Sequence, residues 1–293
     1  MQISVIIAHY APEESYRRVL VQTIQSIRNQ NYSERVEIAI CDDGSHWSGS
    51  LLQGESTKGV FARSEIEQEP LLQDLDIDWY LVGRRTSQYN KAVLWNLAVD
   101  LVQSEALVFL DDDHPFLRHD AITSYAKYLQ EYEFVIGRIR NPGGAYRLFR
   151  DGKVQGTNFG IKKRFLNDIG RFNEETSFWG AGEDSDLFWK VYTKIGRQNR
   201  ENKQACYAGD IITADLCSYR WASCKGNMET FIRGFKDLYG IHPLKNPCRS
   251  KKEWIEHTSA HPFLTESWYR LKNAQCLLMN KLGEMLAAPK DNK

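Results

Sequence analysis

The stretch from Ala106 to His114, ALVFLDDDH, constrains the fold of this chain more than any other. Apolar residues run from Ala106 to Leu110 and stop at three aspartates. So short and β-prone a run predicts a strand buried on both faces, as in a parallel sheet. Asp111, Asp112 and Asp113 then fall at the carboxyl end of that strand, where open α/β sheets bind ligands. Three adjacent carboxylates repel one another unless a cation sits among them. With oxygen ligands that cation is expected to be hard, Mg²⁺ or Mn²⁺, and to share its coordination with substrate phosphates. Alternate residues of an extended chain share a face, so Asp111 and Asp113 point at one metal while Asp112 points away. A solvated acidic turn after a buried strand is the competing reading.

The residues before this stretch predict what surrounds it. Ile3 to Ala8 is a β-branched run ending in His9, Tyr10, Ala11 and Pro12, a strand and then a loop. Between Ser15 and Asn29, Val19, Leu20, Thr23, Ile24 and Ile27 make a helical stripe. Val36 to Ile40 is a second strand, and it too ends in acids and a turn, Cys41-Asp42-Asp43-Gly44-Ser45. Strand, helix, strand at this spacing is a βαβ unit with a parallel pair. Asp78 to Gly83 reads as a third strand, Asn90 to Gln103 as a helix, and Leu107 to Leu110 as the fourth strand.

The order of these motifs resembles the family 2 glycosyltransferases, and the resemblance implies the GT-A fold, a Rossmann-like α/β architecture with a mostly parallel central sheet. His9 and Tyr10 sit where that family has its first nucleotide loop. Asp42 and Asp43 match its DDGS segment, and Lys91 to Asn96 is similar to its GKAxALN helix start. Asp111-Asp112-Asp113 looks like the DxD metal motif. The resemblance spans roughly residues 3 to 195. It implies that His9, Tyr10, Asp42, Asp43, Lys91, Asn96, Asp111, Asp112 and Asn158 bind the nucleotide-sugar donor, with Asp111 and Asp113 on the metal.

A second informative stretch runs from Gly156 to Leu187. Gly156 to Gly160 and the residues after it read as a short strand and a short helix, and Gly170 to Glu174 resembles the family's GGFDE turn. Phe178 to Leu187, FWGAGEDSDL, then leads into a helix marked by Leu187, Phe188, Val191 and Tyr192. Glu183, Asp184 and Asp186 occupy its first turn, where the helix dipole favours carboxylates by roughly 0.3–1 kcal/mol each. An acidic helix start explains them without any function. With Trp179 and Gly180 ahead of them, the run looks like the WGWGxEDDD motif of β-1,4-galactosyltransferases and their bacterial relatives. That resemblance implies Asp184 as general base with Glu183 beside it, and acceptor contacts from Trp179, Gly180, Glu183 and Asp186. Ala181 stands where the motif carries a second Trp, so the acceptor pocket is expected to differ in shape.

Moving a sugar from a nucleotide diphosphate leaves negative charge on the departing pyrophosphate, which a divalent cation offsets, and the attacking hydroxyl must lose a proton. A single displacement of this kind inverts the anomeric centre. The third metal ligand is open: His242 lies in a Gly-Ile-His-Pro loop and reads as a ligand or as a surface residue. His114 is closer, but strand alternation turns it off the Asp111/Asp113 face, which leaves it as a candidate to support a metal ligand rather than to be one. A nucleotidyltransferase is the competing enzyme class, and a non-catalytic sugar-nucleotide-binding relative is the third reading. The first would want a Gly-rich basic loop after the first strand, yet residues 8 to 14 hold no glycine.

Composition narrows the partners. Lys plus Arg equals Asp plus Glu at 38 each, so no charge excess points to nucleic acid. The six cysteines form no CxxC pair, which argues for reduced thiols rather than zinc or a disulfide framework. No basic leader and no membrane-length apolar run is present, and a cytoplasmic protein is expected. Residues 1–222 are expected to form the GT-A domain and 223–293 a helical C-terminal extension. In that extension Trp268, Leu271, Leu278, Leu282, Met285 and Leu286 predict a long amphipathic helix. It would pack on its own domain or on a second subunit as a homodimer, or make peripheral contact with the inner face of a membrane carrying a lipid-linked glycan acceptor.

Overall fold

Each apolar run singled out above is a strand or a helix in the computed structural model, which describes residues 1–10, 14–42, 60–61, 78–82, 91–147, 156–176, 182–195, 204–216, 228–240, 255–257 and 266–287. In chain order the elements are β1 (Ile3–His9), α1 (Glu14–Arg28), β2 (Val36–Asp42), β3 (Val60–Phe61), β4 (Asp78–Val82), α2 (Lys91–Leu101), β5 (Ala106–Asp111) and α3 (Ala121–Glu131). They continue with β6 (Phe134–Arg140), β7 (Phe159–Lys162), α4 (Lys163–Asp168), α5 (Glu183–Ile195), β8 (Ala205–Ala214), α6 (Met228–Tyr239), β9 (Ile255–His257) and α7 (Glu266–Ala287).

Among the described residues one sheet runs in the order β3-β4-β2-β1-β5-β7-β6-β8-β9. β1 lies parallel between β2 and β5, and β4 extends β2 in parallel. β7 is antiparallel to both its neighbours, β5 and β6, and β8 and β9 continue in parallel from β6. β1 and the first five residues of β5 are fully buried because helices cover both faces of the sheet. On one face Ile3, Val5, Ile7, Val108 and Leu110 pack against Leu20, Ile24 and Ile27 of α1 and Ile122, Tyr125 and Leu129 of α3. On the other, Ile6, Leu107 and Phe109 meet Trp95, Ala98 and Val99 of α2 and Leu187, Phe188 and Val191 of α5. The alternation of strand side chains thus feeds two cores, giving an α/β/α sandwich.

An aromatic knot anchors α2. Trp95 meets the edges of Phe109 and Phe159 at centroid distances of 5.2 and 5.8 Å and tilts onto Phe172 at 4.8 Å. Lys91, one helical turn before Trp95, is thereby held at the mouth of β5. The C-terminal part of the chain is helical in α6 and α7 and also supplies the edge strand β9, so the sheet reaches beyond residue 222.

Asn158 was expected at the donor; its side chain is instead fully buried in the sheet. Its Oδ1 accepts from the Tyr125 hydroxyl at 2.9 Å, and its Nδ2 donates to the Arg138 carbonyl at 2.9 Å. It adopts a left-handed φ of 56°, which Asn tolerates better than most residues. A Cβ on Gly137 would come within 2.4 Å of the Asn158 amide, so the β6–β8 bulge at Gly137 and this side chain fill one space. Asn158→Ala is expected to destabilise the protein by about 2–4 kcal/mol, because it strands two buried partners. Urea unfolding at unchanged m-value would read this; a loss under 1 kcal/mol would show that the pair of hydrogen bonds is dispensable.

Candidate active site

Of three neighbouring parallel strands, β2 and β5 end in acids and β1 between them ends in His9. In register, Ala8 of β1 faces Asp111 of β5, and His9 faces Asp42 of β2. The chain turns directly after Asp111, where the His114 amide donates to the Asp111 carbonyl at 3.2 Å. The Thr157 hydroxyl accepts from the Asp111 amide, and the Leu216 amide donates to the Asp113 carbonyl, so both ends of the acidic turn are braced from other elements.

Asp112 lies in the turn after β5 and points inward. It is buried, and its Oδ2 lies 2.6 Å from Nδ1 of the fully buried His9. Thr23 of α1 donates to the Asp112 carbonyl at 2.8 Å. His9 and Asp112, both expected at the donor, therefore tie β1 to β5 in the interior beneath the acidic turn. Tyr10 follows them, half-buried, at the strand end, and Asp42 is buried. Asp43 lies outside the described residues.

His114 departs from the expectation. Alternation was to turn it away, but β5 ends at Asp111, and the turn brings the imidazole back. Its Nδ1 lies 2.6 Å from Asp113 Oδ1 and 4.0 Å from Asp111 Oδ2. Asp111, Asp113 and His114 each offer a ligand atom within 4.8 Å of the others, and they are the metal-capable group among the described residues. His114 Nε2 is buried with no hydrogen-bond partner among those residues. Burial raises the proton affinity of Asp113, with His114 opposing it. Two carboxylates and an imidazole in a largely buried turn fit a divalent cation, and His242, the earlier candidate, lies outside the described residues.

The second acidic cluster faces the first across Lys91. Its ammonium is ion-paired with Asp111 Oδ1, donates to the Gly156 carbonyl at 2.6 Å, and stands 3.8 Å from Glu183 Oε1. It also lies 4.3 Å from the centroid of the Trp95 ring. Burial alone would lower its proton affinity, but Asp111, Glu183 and Asp184 together hold it above the usual lysine range. Gly156 completes the meeting point: a Cβ there would lie 3.6 Å from Asp184 Oδ2 and 3.8 Å from the Lys91 ammonium. Its φ of 34° also disfavours a side chain.

Glu183 and Asp184 open α5, as read from the sequence. Asp184 Oδ1 accepts from the Ser185 amide at 2.6 Å. Burial, then the neighbouring Glu183 charge, pushes its carboxyl up to about 6, against the pull of Lys91 and Ser185. Asp186, expected to touch the acceptor, is instead fully buried. It pairs with Lys190 one turn on at 2.9 Å and accepts from the Tyr239 hydroxyl, which latches α6 onto α5. Asn96 likewise turns inward. Its Nδ2 donates to the Phe172 carbonyl and its Oδ1 accepts from the Phe172 amide, clamping the 170–174 turn onto α2. Trp179 and Gly180 lie outside the described residues. Gly156 and Thr157 carried no recognisable motif, and His114 was read as facing away, because each acts through a turn whose shape local sequence does not reveal.

No family model matches this sequence, and no curated protein matches it. Solved structures do resemble the fold. TarS residues 1–349 of S. aureus, in complex with UDP-GlcNAc, superimposes with a TM-score of 0.53 at 13% identity, over 94% of this chain and 72% of that one. This chain spans 43% of the longer TarS structure. The mannosyltransferase PcManGT of Pyrobaculum calidifontis, in complex with GDP-Man and Mn²⁺, gives a TM-score of 0.54 at 18% identity, over 98% of this chain and 81% of that one. At such identities the likeness speaks for architecture, and the chain has the α/β, GT-A-like fold of these glycosyltransferases.

Proposed function

We propose that the protein is a metal-dependent inverting glycosyltransferase of the family 2 type. It would move a sugar from a nucleotide diphosphate, a UDP-sugar by default, to a hydroxyl of a glycan or lipid-linked glycan in surface polysaccharide synthesis. One observation carries the reading: Lys91 reaches Asp111 while standing 3.8 Å from Glu183, so two acidic clusters distant in sequence meet at one lysine.

Asp111, Asp113 and His114 would hold Mn²⁺ or Mg²⁺, which offsets charge on the departing diphosphate. The imidazole in the set favours Mn²⁺, since Mg²⁺ prefers oxygen alone. Lys91 adds a fixed positive charge at the same place. Asp184 takes the proton of the acceptor hydroxyl, and Glu183 accepts a hydrogen bond from a neighbouring hydroxyl. Tyr10 and Asp43 are the proposed contacts to base and ribose, with Trp179 against the acceptor sugar; Asp42, fully buried, supports the strand end. His9, Asp112, Asn96, Asn158 and Asp186 shape the site from behind.

A panel of nucleotide sugars with Mn²⁺, assayed for hydrolysis without acceptor, tests this directly. One UDP- or GDP-sugar is expected to bind and turn over slowly, and only with metal. Binding of nucleoside triphosphates with pyrophosphate release would favour the nucleotidyltransferase reading. Binding without any turnover, even with acceptor glycans supplied, would favour a non-catalytic relative.

A further inference from the structure

Five of the exposed large apolar side chains lie on α7: Leu271 (68% exposed), Leu277, Leu278, Met279 and Leu282. The opposite side of the helix is fastened to the fold. Asn273 and Tyr146 form a reciprocal pair, Asn273 Nδ2 donating to the Tyr146 carbonyl and accepting from its amide, both at 2.7 Å. Asn280 approaches the Gly143 carbonyl, and a Cβ on Gly144 would touch Cys276 Sγ. The apolar side is therefore turned outward by design of the contacts beneath it.

We infer that α7 lies flat on an anionic lipid surface. At 100° per residue the five apolar side chains sweep about 200° of the helix circumference, whereas a coiled-coil seam is a narrow a/d stripe. An arc this wide suits a helix half-sunk at the headgroup boundary. Gln275, exposed within the same arc, would be desolvated in a helix–helix seam but stays hydrated among headgroups. Charge agrees: residues 270–282 carry Arg270, Lys272 and Lys281 and no acid. These cations stand about 80–100° from Leu271 on both flanks, where long stems reach back to phosphates. The surface also has a physical link to the site. Arg147, next to Tyr146, is ion-paired with Asp215, and the following Leu216 amide holds the Asp113 carbonyl.

The test is vesicle co-sedimentation of the whole chain. The protein is expected to sediment with phosphatidylglycerol-containing vesicles, to stay in solution with pure phosphatidylcholine, and to be released by 0.5 M salt, roughly the range over which a surface potential is screened. Combined Leu271→Gln, Leu278→Gln and Leu282→Gln should lower partitioning at least tenfold. Lys272→Gln with Lys281→Gln should remove the preference for the anionic lipid. All five positions are solvent-facing or half-exposed, and matching thermal melts would confirm intact folding. Wild-type protein that stays in solution with anionic vesicles overturns the inference. So does a two-copy mass in solution that falls to one copy in the triple variant, which would assign the stripe to a second copy. Donor binding is measured without vesicles, so failure of the transfer reading leaves this result standing.

Discussion

Asp184→Asn is expected to lower kcat by about 10²–10⁴, the usual worth of a positioned general base, while donor affinity with Mn²⁺ stays within threefold of wild type. The asymmetry follows from geometry. Asp184 stands in the first turn of α5, and among the described residues it accepts hydrogen bonds from its neighbour Ser185. It has no part in the cluster that could hold a cation. Titrating the variant with donor by calorimetry separates the two quantities. If donor affinity and turnover fall together, Asp184 belongs to donor binding and the proposed division of roles is lost.

The same carboxyl sets a pH dependence whose direction is fixed. Pushed up to about 6, it must be deprotonated to serve as base, so kcat should rise with pH through about 6 and level off above. Glu183→Gln removes the like charge and should move that limb to lower pH, whereas Lys91→Met removes the opposing charge and should move it higher. Stability runs the other way. The folded state holds the proton more tightly than the unfolded chain, whose carboxyl titrates near 3.8. The stabilising contribution is therefore full below that value and fades as pH rises through about 6. Asp184→Asn should flatten the pH dependence of Tm over that window and leave the protein more stable at neutral pH. A steeper Tm profile in the variant would mean that the charged carboxylate is favoured by the fold, against the burial argument.

Much of this was legible before any coordinates. The helix expected from Asn90 to Gln103 is present as Lys91–Leu101, and the strands ending at Asp42 and Asp111 lie parallel about β1. These elements have long apolar stripes bounded by turns, so period alone reveals them. α3 and β6 are harder to read for a physical reason. The buried face of α3 uses Tyr125 and Tyr128, and β6 interrupts its apolar run with Gly137 and a fully buried Arg138. Polar residues inside a core hide an element from hydrophobic patterning. The site divides likewise. Acids at strand ends announce themselves, but whether a carboxylate faces substrate or the interior depends on partners remote in sequence. Asp186 faces inward because Tyr239 and Lys190 are there to meet it, and no pattern around residue 186 says so.

The same dependence on a turn makes Asp113 and His114 the place to test the metal. Asp113→Asn removes a buried carboxylate from the three-ligand cluster, and with it much of the charge that would hold a divalent ion. The loss of Lewis-acid assistance is expected to cost at least about 3–4 kcal/mol, or 10²–10³ in kcat, and to abolish the metal-dependent part of donor affinity. Mn²⁺ titration followed by electron paramagnetic resonance reads the site without turnover. His114→Asn makes the finer distinction. It replaces a nitrogen ligand by an oxygen, so binding of Mg²⁺ should survive while the preference for Mn²⁺ narrows. If His114 only steadies Asp113 through the 2.6 Å contact, both ions should weaken by the same factor. If neither ion responds to either substitution, the cation sits elsewhere, and the turn after β5 is acidic for structural reasons alone.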